Sequence, residues 1–251
     1  MDEHWFWAKL AEHPLWIRTV YPYTWKIFSD YRLEPTDRER QIFFEWYGKE
    51  EPIFVTQEEI RQEQQQMDAV FSEAYLESLA LYRKLLERMS LDDVMMFHCS
   101  ALTLDGRAYL FTAPSGTGKS THAGLWRKHF GERVVIVNDD KPLLGVKGEE
   151  ILVYGSPYSG KEQLQANTAA PVEGIVVLYQ NPENTIRPLN PREAFTHLLI
   201  QSHRPKNAEG THHILDILNR MTGLPVYSLG CTISDEAVRM AYQALTGGTL
   251  V

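Results

Sequence analysis

The run Ala113-Pro114-Ser115-Gly116-Thr117-Gly118-Lys119-Ser120 gathers the residue types that hold a polyphosphate. Its glycines let backbone N–H groups wrap phosphate oxygens, the Lys119 ammonium reaches the β and γ phosphates, and the Ser120 hydroxyl suits Mg²⁺. Ser115, Thr117 and Thr121 flank these groups, and the phosphates sit at the positive end of the helix that follows. The pattern is that of a P-loop, with Ala113 in place of its first glycine. Downstream, Asn138-Asp139-Asp140 supplies a carboxylate pair, one for a metal ion and one for a proton. Loop and pair together specify nucleotide-dependent phosphoryl chemistry with ATP and Mg²⁺ as cofactors.

Such a loop works only between a strand and a helix, and the flanking sequence provides both. Residues 108–112 read as a short apolar strand, and 121–130 as a helix closed by Gly131. Residues 95–104 and 107–112, joined by Asp105-Gly106, form a β-hairpin signature. The strand feeding the loop therefore has an antiparallel neighbour, which predicts a mixed sheet. Residues 134–137 read as a buried strand that delivers Asn138-Asp139-Asp140. Beyond it, 143–146 and 151–154 suggest another hairpin, and 172–179, 185–189 and 226–229 further strands. Helices are expected from Pro191 to about 202, from a Thr211 cap to about 222, and after a Ser234 cap.

The first part of the chain reads as a small α+β unit. Strands are expected at 15–20, 25–33 and 41–47, with Trp16, Trp25 and Trp46 packed in a core. Thr56-Gln57-Glu58-Glu59 resembles a capping box opening a long helical region with an apolar stripe of Phe71, Tyr75, Leu79, Tyr82 and Leu86. The sequence thus divides into an N-terminal unit, 1–90, and a P-loop catalytic domain, 91–251.

Composition narrows the partners. The chain has 251 residues, 43% hydrophobic and 23% charged, with a formal net charge of -8. That balance suits a soluble enzyme and argues against broad attraction to nucleic acid or anionic lipid. Cys99 and Cys231 are too few for a disulfide framework or a cysteine zinc site. The N-terminus lacks a basic start followed by an apolar run, no segment approaches membrane-spanning length, and a cytoplasmic location is expected.

With His98 at the start of the hairpin, the loop, the paired aspartates and Gly155-Ser156-Pro157, the chain resembles the catalytic domain of HPr kinase/phosphorylase. That family shares its fold with phosphoenolpyruvate carboxykinase. The resemblance spans about 95–178 and is similar to the stand-alone HPr-kinase-like enzymes that include lasso-peptide precursor kinases. Residues 165–170, Gln-Ala-Asn-Thr-Ala-Ala, stand where the bifunctional enzymes carry a glycine-rich signature, and the N-terminal unit does not resemble their regulatory domain. The resemblance implies an α/β P-loop fold with mixed, largely antiparallel sheets. It also implies that Asp139 takes the proton of an acceptor hydroxyl and that His98 is an active-site residue, pairing with Asp139 or touching the transferred phosphate.

Other assignments follow from residue type. Asp140 with Ser120 is the expected Mg²⁺ set. Lys161, in Ser159-Gly160-Lys161-Glu162, could reach phosphate or be a solvated loop lysine, and Arg204 could clamp transition-state charge. His212-His213 lack the helical spacing of metal ligands and suit surface or cap roles. The leading function is an ATP-dependent kinase acting on an alcohol, a serine of a peptide or small protein; a homo-oligomer is compatible with it. A small-metabolite kinase keeps the chemistry and changes the acceptor pocket. A nucleotide-controlled switch is a different class, though no Asn-Lys-x-Asp guanine signature is present. The carboxykinase reaction is a further alternative on fold alone.

Overall fold

In the computed structural model, which describes residues 3–248, the chain divides between Met89 and Ser90 into two units. The first opens with an antiparallel hairpin, β1 (His4–Leu10) and β2 (His13–Thr19), followed by the helices α1 (Pro22–Ile27), α2 (Asp37–Tyr47), α3 (Gln57–Gln65) and α4 (Glu73–Met89).

Local signals overrule aromatic content at two places here. Residues 25–33, expected as a strand, form the end of α1 and a 3₁₀ turn, because Pro22 sits in the first turn of α1 and sets its φ for a helix. Residues 41–47, also expected as a strand, lie in α2. There Thr36 and Glu39 form a reciprocal capping box and Gly48 closes the helix in the left-handed region. The capping box at Thr56 is present, but the helix it starts stops at Gln65, so the long helical region is two helices. Phe71 falls between them and is exposed, while α4 buries Leu76, Leu81, Tyr82, Leu85, Leu86 and Met89. Trp16, Trp25 and Trp46 are half-buried rather than core; Trp16 stacks on Trp7 at 5.7 Å and Arg32 lies 4.1 Å over Trp25.

Glu77 on α4 is a buried carboxylate that accepts from Val20 N at 2.7 Å and Tyr21 N at 3.1 Å, fixing the exit of β2. Glu77→Ala leaves both donors without their acceptor and is expected to cost about 2–3 kcal/mol. A fall in urea midpoint at unchanged slope would register it.

The second unit comprises β3 (Val94–Met96), β4 (Cys99–Leu104), β5 (Arg107–Thr112), α5 (Lys119–Phe130), β6 (Val134–Asn138), β7 (Leu143–Lys147), β8 (Glu150–Tyr154), β9 (Ala169–Gln180), β10 (Thr185–Pro188), α6 (Pro191–Gln201), α7 (Ala208–Met221), β11 (Val226–Cys231) and α8 (Asp235–Thr246). One run of strands has the order β10-β11-β9-β5-β4-β6, in which β5 is parallel to β9 and β9 to β11, while β4 is antiparallel to β5 and β6. The other, β3-β7-β8-β9, is antiparallel throughout and shares β9. The sheet is therefore mixed, as the Asp105-Gly106 hairpin predicts. Met95, expected at the start of that hairpin, belongs instead to β3 against β7. The α7 cap is Asn207 rather than Thr211: its side chain accepts from Gly210 N, starting the helix earlier.

Alternation along β4 and β5 sorts side chains into two cores. Cys99, Ala101, Ala108 and Leu110 face one way, toward Leu198 of α6 and Ile214 and Leu218 of α7. Leu102, Leu104, Tyr109 and Phe111 face the other, toward Trp126 of α5 and Val238 of α8. With both faces covered, the strand ends are what remain open for chemistry. Among the described residues, no helix is long and apolar enough to cross a membrane.

Candidate active site

The glycine-rich loop 113–120 leaves β5 and enters α5 with Gly118 as the helix cap at φ +115°. Nothing lies within 4 Å of a Cβ built there, so backbone conformation rather than space demands glycine. Lys119 is only 7% exposed. Its ammonium donates to Ala113 O at 2.9 Å and Pro114 O at 3.3 Å, tying helix to loop entrance. Burial pulls the ammonium below its ordinary range, and the Asp140 carboxylate opposes that shift.

The antiparallel lead-in explains how the rest of the site reaches this loop. Because β4 runs against both neighbours, its beginning lies at the C-terminal ends of β5 and β6. Cys99 pairs with Thr112, and Ala101 with Asn138. His98, just before β4, is thereby held at the head of the loop: Thr112 Oγ1 donates to His98 O at 2.9 Å. The His98 ring meets Asp140, not Asp139, with Nε2 3.2 Å from Oδ1, and its Nδ1 lies 3.2 Å from Gln201 Oε1. Asp140 also pairs with the Lys141 ammonium. Burial would raise the Asp140 carboxyl, but the His98 and Lys141 contacts outweigh it and hold the group at about 2, so it is ionised.

Asp139 is in a different state. It is 3% exposed, and burial first, then the neighbouring Asp140 charge, push its carboxyl up against the lowering effect of a hydrogen bond from Gly160 N. Oδ1 accepts that bond at 2.6 Å, whereas Oδ2 is buried without a partner. Two adjacent carboxyls thus differ in proton affinity by environment alone, the division of labour expected of a metal ligand and a proton acceptor.

Asn138 builds this arrangement, a role that residue type alone did not disclose. Its Oδ1 accepts from Asp140 N at 2.9 Å and Lys141 N at 2.7 Å, and its Nδ2 donates to Ser156 O at 3.0 Å and Tyr158 O at 3.3 Å. Ser156, within the Gly155-Ser156-Pro157 segment, donates from Oγ to Lys141 O at 2.6 Å. Asn138→Ala removes these bonds from a fully buried position and is expected to cost about 3 kcal/mol, read as a lower urea midpoint.

Ser120 and Thr121 are exposed on the first turn of α5, and Lys161 and Arg204 are exposed on loops. Lys161 follows the Gly160 that caps Asp139. Arg204 follows a segment that runs along the His98 strand entry, where Phe97 pairs with Ser202 and His203 N donates to Met96 O at 3.1 Å. His213 pairs with Asp93 at 2.7 Å and His212 is exposed, both outside this cluster. Mg²⁺ takes oxygen ligands and keeps much of its shell for phosphate and water. The ionised Asp140 and the exposed Ser120 hydroxyl fit such an ion. Among the described residues, no group of three or more His, Cys, Asp or Glu forms a metal cluster.

On the opposite side of the loop lies a cleft of about 450 Å³ lined by Gly116, Thr117, Gly118, Leu125, Asn181 and Ile233, among others. It opens at the C-terminal ends of the parallel strands β9 and β11, the usual ligand position in such sheets. The stretches 180–182 and 231–233 carry no motif, and sequence reasoning missed them. His122, at the cleft floor, is held neutral by burial, which pulls its ring down to about 4. Trp126 Nε1 donates to its Nε2 at 3.1 Å, placing the ring proton on Nδ1.

No protein-family model matches this sequence, and no curated protein does. Among solved structures, the HPr(Ser) kinase/phosphatase from Coxiella burnetii is similar at 12% identity, over 58% of this chain and 90% of that one, with a TM-score of 0.33.

Proposed function

We propose that this protein is a kinase that transfers the γ-phosphoryl group of ATP to a hydroxyl, that of a serine in a peptide or small protein. The observation that carries the reading is the meeting of three strand ends: the phosphate loop, His98 and the unequal pair Asp139 and Asp140. A nucleotide-binding switch needs the loop and an ionised carboxylate. A second, buried carboxylate with a free oxygen is what an acceptor hydroxyl needs.

In this reading the Gly116–Gly118 backbone and Lys119 hold the β and γ phosphates, with Ser115 and Thr121 flanking, and the cleft beside them takes the nucleoside. Asp140 and Ser120 hold Mg²⁺, which supplies charge neutralisation on the phosphates when bound. His98, gripped by Gln201, orients Asp140. The acceptor oxygen attacks the γ phosphorus in line, its proton passes to Asp139 Oδ2, and ADP leaves. Lys161 and Arg204, both exposed on loops, are assigned in this reading to the charge on the transferring phosphate. The test is incubation with ATP, Mg²⁺ and candidate serine peptides, read as a mass gain of one phosphoryl group. Absence of product across peptide and metabolite panels, together with unchanged nucleotide turnover in Asp139→Asn, would sink the proposal.

A further inference from the structure

The loop between β8 and β9 does more than close a turn. Its incoming arm is anchored where Asn138 Nδ2 donates to Ser156 O and Tyr158 O at 3.0 and 3.3 Å. Its outgoing arm runs along the end of β6: Asp139 N donates to Leu164 O and Ala166 N to Val137 O, both at 3.1 Å. Between these arms the tip, residues 159–163, arches over the Asp139 carboxylate.

The fit at that point is close. Gly160 N donates to Asp139 Oδ1 at 2.6 Å, and a Cβ built on Gly160 would stand 2.9 Å from Oδ2 and 3.2 Å from Cγ. A side chain there would require the tip or the carboxylate to shift. Gly160 has no positive φ, so the demand comes from the carboxylate itself. Among the described residues, the hydrogen bond from the tip to the rest of the molecule is this one from Gly160; Gln163 N bonds back within the tip, to Gly160 O. A tip held between two anchored arms by one hydrogen bond is suited to swing clear without disturbing either arm.

The consequence bears on catalysis. Asp139 Oδ2, the oxygen assigned to take the acceptor's proton, is sealed from solvent in this state. We propose that the Ser159–Gln163 tip is an autoinhibitory cap, which covers the proton-accepting carboxylate against water and is displaced when the acceptor hydroxyl arrives. The inference rests on the kinase reading for its purpose, the suppression of ATP hydrolysis when no acceptor is bound. Its structural content, a removable cover on Asp139, stands independently of any turnover.

Gly160→Ala tests both parts, because a methyl does not fit the present approach to the carboxylate, so tip and carboxylate must move apart. Carboxylate labelling with a carbodiimide and glycine ethyl ester, mapped by mass spectrometry without nucleotide, is expected to modify Asp139 about tenfold faster in the variant, with Asp140 unchanged. With ATP and Mg²⁺ but no acceptor, hydrolysis is expected to rise at least about fivefold, and Asp139→Asn in the same chain to remove the gain. Equal labelling of Asp139 in parent and variant overturns the cap. Faster labelling without faster hydrolysis, in a protein that turns over ATP, overturns its inhibitory role. Faster labelling in a protein that does not bind ATP sinks the kinase reading, and with it that role, while the cover on Asp139 stands. Should Gly160→Ala not fold, Asp139→Ala serves: release of the Gly160 amide is expected to speed its hydrogen exchange about tenfold, and an unchanged rate overturns the cap.

Discussion

Asp139→Asn is expected to lower phosphoryl transfer about a thousandfold while leaving nucleotide affinity within about threefold of the parent. The substitution keeps the shape of the side chain, and its amide oxygen can still accept from Gly160 N, so the loop retains its anchor. What disappears is the oxygen that can take a proton. The Asp139 carboxylate is not among the groups gripping Lys119, whose bonds go to Ala113 O and Pro114 O. Nucleotide binding should therefore survive. Single-turnover transfer with a serine peptide, paired with calorimetric titration of the nucleotide, separates the two quantities. A switch predicts otherwise: slowed hydrolysis with partner control intact. Comparable transfer by the Asn variant would remove Asp139 from the chemistry altogether.

The candidate site was legible in the sequence where residue types fall in a fixed order. Glycines, lysine and serine between a strand and a helix leave little freedom, and Asp105-Gly106 announced the antiparallel neighbour that makes the sheet mixed. Pairings across the fold were not legible. His98 meets Asp140 rather than Asp139 because the carboxylates of adjacent residues diverge around the turn that Asn138 holds, and nothing in a one-dimensional pattern says which one turns toward β4. Gln201 and Lys141 were likewise invisible, since a glutamine at a helix end and a lysine beside an aspartate are ordinary surface residues until tertiary packing gives them a partner. In the first unit the errors have one cause. Aromatic and β-branched composition suggested strands at 25–33 and 41–47, whereas a proline in the first turn and a Thr-Glu capping box fix the backbone first.

Lys119→Ala is the complementary perturbation, because this side chain serves binding and rate together. Lys119 is a buried residue, and burial already disfavours its charge. A cation kept in so dry a place is stabilised most when polyphosphate arrives, and more still as charge builds on the transferring group. Removing it is expected to weaken ATP binding at least about tenfold and to lower kcat/KM about a thousandfold, so KM and kcat both change. Lys119→Arg should not rescue, since a planar guanidinium does not fit a slot shaped to an ammonium between two carbonyl oxygens. Stability should move little: the variant loses those two hydrogen bonds but is also relieved of a desolvated charge. An unchanged thermal midpoint beside lost turnover would locate the effect in function rather than folding of the 113–120 loop. A variant that kept parental affinity and rate would show that the loop does not hold the transferring phosphate.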